Sequence, residues 1–230
     1  AAAAIAGATT GPGSATVRRL DVTDAADVQA AVDEVVATHG RIDLLFNNAG
    51  ITFGGETQDL TLDQWNAVID VNIRGVVHGV AAAYPLMVAQ RSGHIINTAS
   101  MGGLVAAGLI TSYVTSKHAV VGLSLALRTE AAAYGVGVLA VCPAAVETPI
   151  LDQGYIGDFN GREFYLSGQG VKHALDADVL AAQVLTAVQD GRALLVTPRQ
   201  ARIAWRAFRY FPGFTGRMSR RFVDKMRTTG

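Results

Sequence analysis

The chain has 230 residues, half of them hydrophobic, with nineteen basic and nineteen acidic side chains and a net charge of zero. That length can bury one sizeable core, and the balanced charge argues against a nucleic-acid footprint over the molecule as a whole. A single cysteine, Cys142, excludes an intrachain disulfide framework and is compatible with a reducing compartment.

No secretory signal is expected at the N-terminus, and the longest apolar stretch, Gly75 to Ala89, is broken by His78 and falls short of the ~20 residues a membrane span needs. A soluble intracellular protein of the cytoplasm is the expectation. Residues 1–13 read as the tail of a helix followed by a turn. Gly11-Pro12-Gly13 invites a reading as a phosphate-cradling loop. Against it, no glycine stands at position 16, Pro12 removes a backbone donor, and a strand follows where a helix is needed. Ala15 to Val22 reads as a strand. Thr23 or Asp24 then caps an amphipathic helix with Val28, Val32, Val35 and Val36 on one face, which Gly40 ends.

Ile42 to Phe46 reads as a short strand of the buried parallel type, running into Asn47-Asn48-Ala49-Gly50, whose small residues leave room for a flat ligand on the backbone. Thr61-Leu-Asp-Gln-Trp65 opens a long helix through Asn72 to about Gln90. A strand at 94–98, a helix from about Tyr113 to Gly135 and a buried strand from Val136 to Val141 follow, leading to Pro143-Ala144-Ala145-Val146-Glu147-Thr148. Residues 149–175 read as an irregular, glycine-rich segment with Tyr155, Phe159, Phe164 and Tyr165 interleaved, and these aromatics favour a lid over an apolar substrate. Asp176 or Asp178 caps a helix to about Asp190, and Arg192 to Val196 forms a last strand. Strand and helix alternate throughout, which predicts an α/β fold with a doubly wound parallel sheet in three α/β/α layers. Asp21, Asn48, Ser100 and Pro143 all fall at carboxyl ends of strands, where such sheets bind ligands.

The chemistry centres on Ser100 and on Tyr113-Val-Thr-Ser-Lys117. Tyr113 and Lys117 are four apart, one above the other on a helix face. An ammonium beside a phenol favours the phenolate, so the spacing predicts a Tyr113 pKa lowered from about 10 towards neutrality, as a proton carrier needs. Ser100, at the end of the preceding strand, can hydrogen-bond the same substrate oxygen. Lysine is scarce, three residues against sixteen arginines, yet one stands in this Ala/Val/Leu-rich helix.

Asp21-Val22, Asn47-Asn48-Ala49-Gly50, Asn72 in Val-Asn-Ile-Arg-Gly, Ser100, Tyr113-x-x-x-Lys117 and Pro143 with Thr148 together resemble the short-chain dehydrogenase/reductase family over the chain up to about Pro198. The resemblance implies a Rossmann-like oxidoreductase domain at 1–198 that interconverts a secondary alcohol and a ketone with NAD or NADP, and no metal. It implies Tyr113 as general acid/base and Lys117 as the group that tunes it and bonds the nicotinamide ribose. Ser100 would polarise the carbonyl, and Asn72 would hold a water in a proton relay. Asp21 and Val22 would contact the adenine, Asn48, Ala49 and Gly50 the adenosine ribose side, and Pro143, Val146 and Thr148 the nicotinamide end. A homo-oligomer, dimer or tetramer, is implied as well. Each side chain also has a local reading: Asn72 bonding backbone within a helix, Asp21 capping one, Thr148 capping the segment after it.

Two departures stand out. Ala144 follows Pro143 where the family has glycine, and the family's first βαβ unit, with its Gly-rich turn and the acid or base that selects the coenzyme, has no counterpart here. The chain is therefore expected to be part of a longer enzyme. Rival readings are a sugar-nucleotide epimerase or dehydratase, which shares Tyr-x-x-x-Lys, and a non-catalytic binding or scaffold protein without a working cofactor site. The tail at 199–230 has nine basic residues and one acidic, Asp224, against ten and eighteen in the remainder. Arg202, Arg206 and Arg209 share one face and Ala204, Phe208 and Phe211 another, with a break at Pro212-Gly213. Such a tail can pack on a partner subunit, cover an acidic patch of its own domain, or make weak contact with a membrane surface.

Overall fold

The structure, a computed structural model, describes residues 14–228, so the reading of residues 1–13 lies outside the described residues. Asp24 starts the first helix: its carboxylate accepts the N–H groups of Ala26 and Asp27, and α1 runs Ala25–His39 to a left-handed Gly40 at φ 74°. Strand β1 (Leu44–Asn47) comes next. A capping box of Thr61 and Gln64 then opens α2 (Leu62–Ile69). A π-helical turn (Asp70–Arg74) joins α2 to α3 (Gly75–Gln90), and β2 is Gly93–Thr98. After a 3₁₀ turn at Met101–Gly103 come α4 (Thr111–Ala131) and β3 (Val136–Pro143). Helix α5 (Gly161–Gly168), α6 (Ala177–Gln189, capped by Asp176), β4 (Leu194–Thr197), α7 (Arg199–Tyr210) and α8 (Pro212–Thr228) complete the described chain.

The four strands are parallel in the order β1-β2-β3-β4. Leu45, Ile95 and Val138 share one row, and Phe46, Ile96 and Leu139 the next. The pleat sends these rows to opposite faces. Ile95 and Val138 meet Val28 and Val32 of α1 and Ala82, Ala83 and Met87 of α3. Ile96, Leu139, Val141 and Leu195 meet Val184 and Ala187 of α6 on the other face. The three layers and the parallel sheet are those expected.

Several elements differ from the expectation. Ala15–Val22 is not a strand, because among the described residues no strand lies alongside to accept its backbone hydrogen bonds. It is tied instead to α1, where Arg18 pairs with Asp27 at 2.6 Å and Glu34 at 2.9 Å. β1 is not of the buried type. Leu44 and Phe46 are 41% and 47% exposed, since α6, the helix on their face, packs on β3 and β4. The segment 149–175 is not wholly irregular: Asn160 caps α5, and Arg162 ties it to Glu147 at 2.7 Å and Asp152 at 2.6 Å. Taken together, α2, the π turn and α3 make one 29-residue helix, which by length and composition could cross a membrane. In this fold it is a core helix: Val68, Asn72, Val76, Ala83 and Met87 are buried.

Candidate active site

Ser100 sits in extended backbone at the end of β2, and its Oγ accepts the Gly102 N–H at 3.0 Å, which starts the 3₁₀ turn. That turn presses on α4. A Cβ at Gly103 would stand 2.5 Å from the Lys117 carbonyl oxygen, so only glycine lets the two backbones meet. A Cβ at Gly102 would lie 3.4 Å from the Tyr113 ring and 3.6 Å from Ser100 Oγ, which shows how closely the turn holds serine and phenol together.

Lys117 is buried, and its Nζ donates to the Thr98 carbonyl at 2.8 Å, 5.6 Å from the centre of the Tyr113 ring. The Thr98 hydroxyl donates to Asn48 Oδ1 at 2.8 Å, so one threonine orients both the lysine and the Asn-Asn-Ala-Gly segment. Asn72, fully buried in the π turn, accepts the Ile51 N–H at 2.8 Å and donates to the Ile51 carbonyl and to Ser116 Oγ, both at 2.9 Å. A Cβ at Gly50 would stand 3.3 Å from Lys117 Nζ and 3.5 Å from Asn72 Oδ1. Glycine there keeps the lysine, the asparagine and the chain after β1 in one cluster. π turns inside helices are frequent at functional sites, and this one aims Asn72 at the loop it clamps.

This cluster borders a cavity of about 510 Å³, which the buried Asn72 supports from behind and does not line. Ser100, Tyr113, Lys117, Asn48 and Gly50 line it, as do Pro143, Val146 and Thr148 from the end of β3 and the segment beyond. Ala144 lines it too, and its N–H donates to the Thr197 carbonyl at 2.8 Å, so alanine is accommodated after Pro143. Asp21 and Val22 are not brought to this cavity. The Asp21 carboxylate accepts the Thr23 N–H and O–H at 2.9 and 2.7 Å, a turn ahead of the helix and not its cap, which is Asp24, and those bonds hold its pKa below the usual value. Val22 and Ala49 line a second trough of about 350 Å³, between residues 20–22 and β1; Asn48 borders both.

Burial governs the ionisations. The Tyr113 phenol is pushed above its ordinary value by desolvation, which a hydrogen bond from Ser100 offsets only in part. Lys117 is brought down from 10.5 to about 8 by the same cause. The expected lowering of the Tyr113 pKa is thus not found: the lysine spends its nearest donor on Thr98, and its own charge is destabilised by burial. Tyr113 keeps its proton at neutral pH and is poised as an acid. Cys142, buried beneath the site, is raised to about 12 and is an inert packing group.

Sequence reasoning missed several contributors. Thr98 carried a usable signal, lying at a strand end two residues before Ser100. A buried polar chain runs from Asn47 Nδ2 to Asn97 Oδ1 (2.8 Å) and from Asn97 Nδ2 to Ser124 Oγ (3.0 Å), fixing β1, β2 and α4 together. Tyr165 reaches the cavity from α5, with its hydroxyl 3.3 Å from Thr52 Oγ1. The other expected lid aromatics pack among themselves: Tyr155 on Phe159, Phe159 on Phe164, and Phe164 on Phe222 of α8.

A family model described as short chain dehydrogenase matches residues 1–155. The chain is 37% identical over 142 residues to a cyclohexanol dehydrogenase from an Acinetobacter species, covering 60% of this chain and 56% of that one. It is similar in structure to a short-chain dehydrogenase/reductase from Burkholderia phymatum in complex with NAD, with TM-score 0.76 and 30% identity over 86% of this chain and 76% of that one. A gluconate 5-dehydrogenase from Burkholderia cenocepacia in complex with NADP and tartrate matches with TM-score 0.67 and 29% identity, over 77% and 71% of the two chains. The chain spans a little over half the length of most of the curated relatives it matches.

Proposed function

The chain belongs to the short-chain dehydrogenase/reductase family, and on that premise we propose that it serves an NAD(P)-dependent oxidoreductase that interconverts an apolar ketone and a secondary alcohol. The observation that carries this reading is the meeting of the Ser100 and Tyr113 hydroxyls with the Lys117 ammonium on one cavity wall, the phenol holding its proton.

The residues suit a nicotinamide coenzyme. Gly50 leaves open the space beside Lys117 Nζ that a Cβ would fill, and Asn48, Pro143, Val146 and Thr148 offer a flat, mostly small-residue bed. In this reading those residues and Lys117 hold the nicotinamide and ribose end. When bound, the coenzyme supplies or accepts the hydride, the part of the chemistry that side chains cannot perform.

Everything else falls to the chain. Ser100 Oγ donates to the substrate oxygen, orients the carbonyl and makes its carbon more electrophilic. Tyr113 transfers its proton to the oxygen as negative charge develops there. Lys117, with its Nζ 5.6 Å from the centre of the Tyr113 ring, adds a positive charge that favours the phenolate left behind. Asn72 holds Ile51 and Ser116, and so the wall beside Lys117, in place. Ile150, Leu151 and Tyr165 give the substrate side an apolar lining, which supports an apolar substrate over a sugar nucleotide. A homo-oligomer belongs to the same proposal, as the family resemblance implies.

The reading is tested by thermal unfolding with NAD and NADP, followed by NADH or NADPH oxidation with cyclohexanone and other apolar ketones. A coenzyme at 100 times its dissociation constant stabilises by about 2.7 kcal/mol, several degrees for a chain of this size. A shift with one coenzyme and ketone-dependent turnover are expected. A folded chain that responds to neither coenzyme would favour the non-catalytic scaffold instead.

A further inference from the structure

From Arg199 onward nine basic side chains stand against one acid, and the cavity uses none of them. α7 turns one side to the sheet, with Ala201 buried and Trp205 packed in the cluster of Val196 and Cys142. At 3.6 residues per turn, Ile203 and Tyr210 lie on the opposite side, with Arg199 and Arg206 beside them. α8 is held just as firmly. Thr215 is buried, Phe222 and Val223 pack in the cluster of Phe164 and Tyr113, and Arg227 pairs with Glu56 at 2.5 Å. Arg217 and Arg221 fall on the side turned away from these, and Phe214 and Met218 on the flank between.

Exposure agrees with this arithmetic: Ile203 is 61% exposed, Tyr210 70%, Phe211 65%, Phe214 58% and Met218 55%. Three of the five are aromatic rings at the corner between the two helices. Among the described residues, Arg227 is the one tail arginine in an ion pair.

We propose that the outer faces of α7 and α8 dock the protein on an anionic lipid surface. The partner has to be anionic and apolar at nearly the same depth, because arginines and large apolar groups alternate on one face, as in Arg199, Ile203, Arg206 and Tyr210. The headgroup–acyl boundary of an anionic bilayer offers both within one side-chain length. Aromatic and aliphatic groups enter it, and guanidinium groups reach the lipid phosphates on flexible stems. An acidic patch of a folded protein would meet the arginines and leave the corner rings unburied. The packing of Phe222 and the Arg227–Glu56 pair present this face as a fixed platform on the folded domain.

The test is co-sedimentation of the full chain with vesicles of phosphatidylcholine alone and of phosphatidylcholine mixed with phosphatidylglycerol, at low and high salt. Binding to the anionic vesicles is expected at low salt, with weakening at high salt and little binding to the neutral ones. Arg206→Gln should weaken it about fivefold. Phe211→Ser with Phe214→Ser keeps every charge and should weaken it by more than about tenfold, with unchanged thermal unfolding because both rings are exposed. Equal binding to neutral and anionic vesicles, no binding at low salt, or undiminished binding of the double variant would overturn the proposal. A concentration-dependent dimer lost in that same variant, without vesicle binding, would overturn it in favour of a second copy of the chain.

Discussion

The Lys117 ammonium stands 5.6 Å from the centre of the Tyr113 ring with one N–H donated to the Thr98 carbonyl, and burial sets what both groups do. A tyrosine that stays protonated through neutral pH is a donor, so Tyr113→Phe is expected to cut turnover by about a thousandfold while the thermal shift with coenzyme is nearly retained. Near-normal turnover in that variant would remove Tyr113 from the mechanism. Lys117 makes a second prediction. Folded it titrates at about 8, unfolded at 10.5, so between those values the unfolded chain binds more protons and stability from this residue rises with pH. Below about pH 8 the buried charge is a cost. In Lys117→Met that rise is absent, and urea unfolding of both proteins at several pH values across the window would reveal it as a pH-dependent difference, the wild type gaining on the variant as pH rises. A difference flat with pH would refute the assignment. Spacing in the sequence was enough to pair Tyr113 with Lys117 and to add Ser100. The direction of the tyrosine shift was not legible, because spacing gives proximity and only packing gives desolvation.

Elements were legible where their ends carry chemistry. Asp24, Thr61 and Asp176 cap α1, α2 and α6, and Gly40 and Gly135 close helical segments in left-handed backbone. Helix α5 escaped because it has eight residues, begins and ends in glycine, and is held by Arg162 reaching Glu147 and Asp152 from outside it. The π turn left no mark in the pattern either, though it orients Asn72. α8 closes over α5 through Phe222, whose ring centre is 5.4 Å from that of Phe164. Phe222→Ala should therefore destabilise the protein by about 2 kcal/mol, a half-buried aromatic being worth less than a core one. Denaturant unfolding measures this, and a change within error would mean that α8 rests on the domain without stabilising it.

At the scale of the molecule, the parallel sheet sends β1, β2 and β3 to one edge, and there Asn48, Ser100 and Pro143 meet Tyr113 and Lys117 in a single cavity. The alternation of strands and helices and the site motifs at strand ends were determined by the sequence alone, since each rests on local periodicity or short spacing, and the family followed from the likeness of those motifs, taken together, to a known set. Which faces are covered was decided only in three dimensions. Phe46 looks like a core residue in the sequence, yet stands exposed because α6 packs farther along the sheet. Ala15–Val22 has a strand's composition but no neighbour among the described residues to pair with. Asp21, a strand-end acid by position, turns to Thr23 and away from the cavity. Burial, pairing and ionisation depend on what lies across space from a residue, and a one-dimensional pattern holds only what lies along the chain.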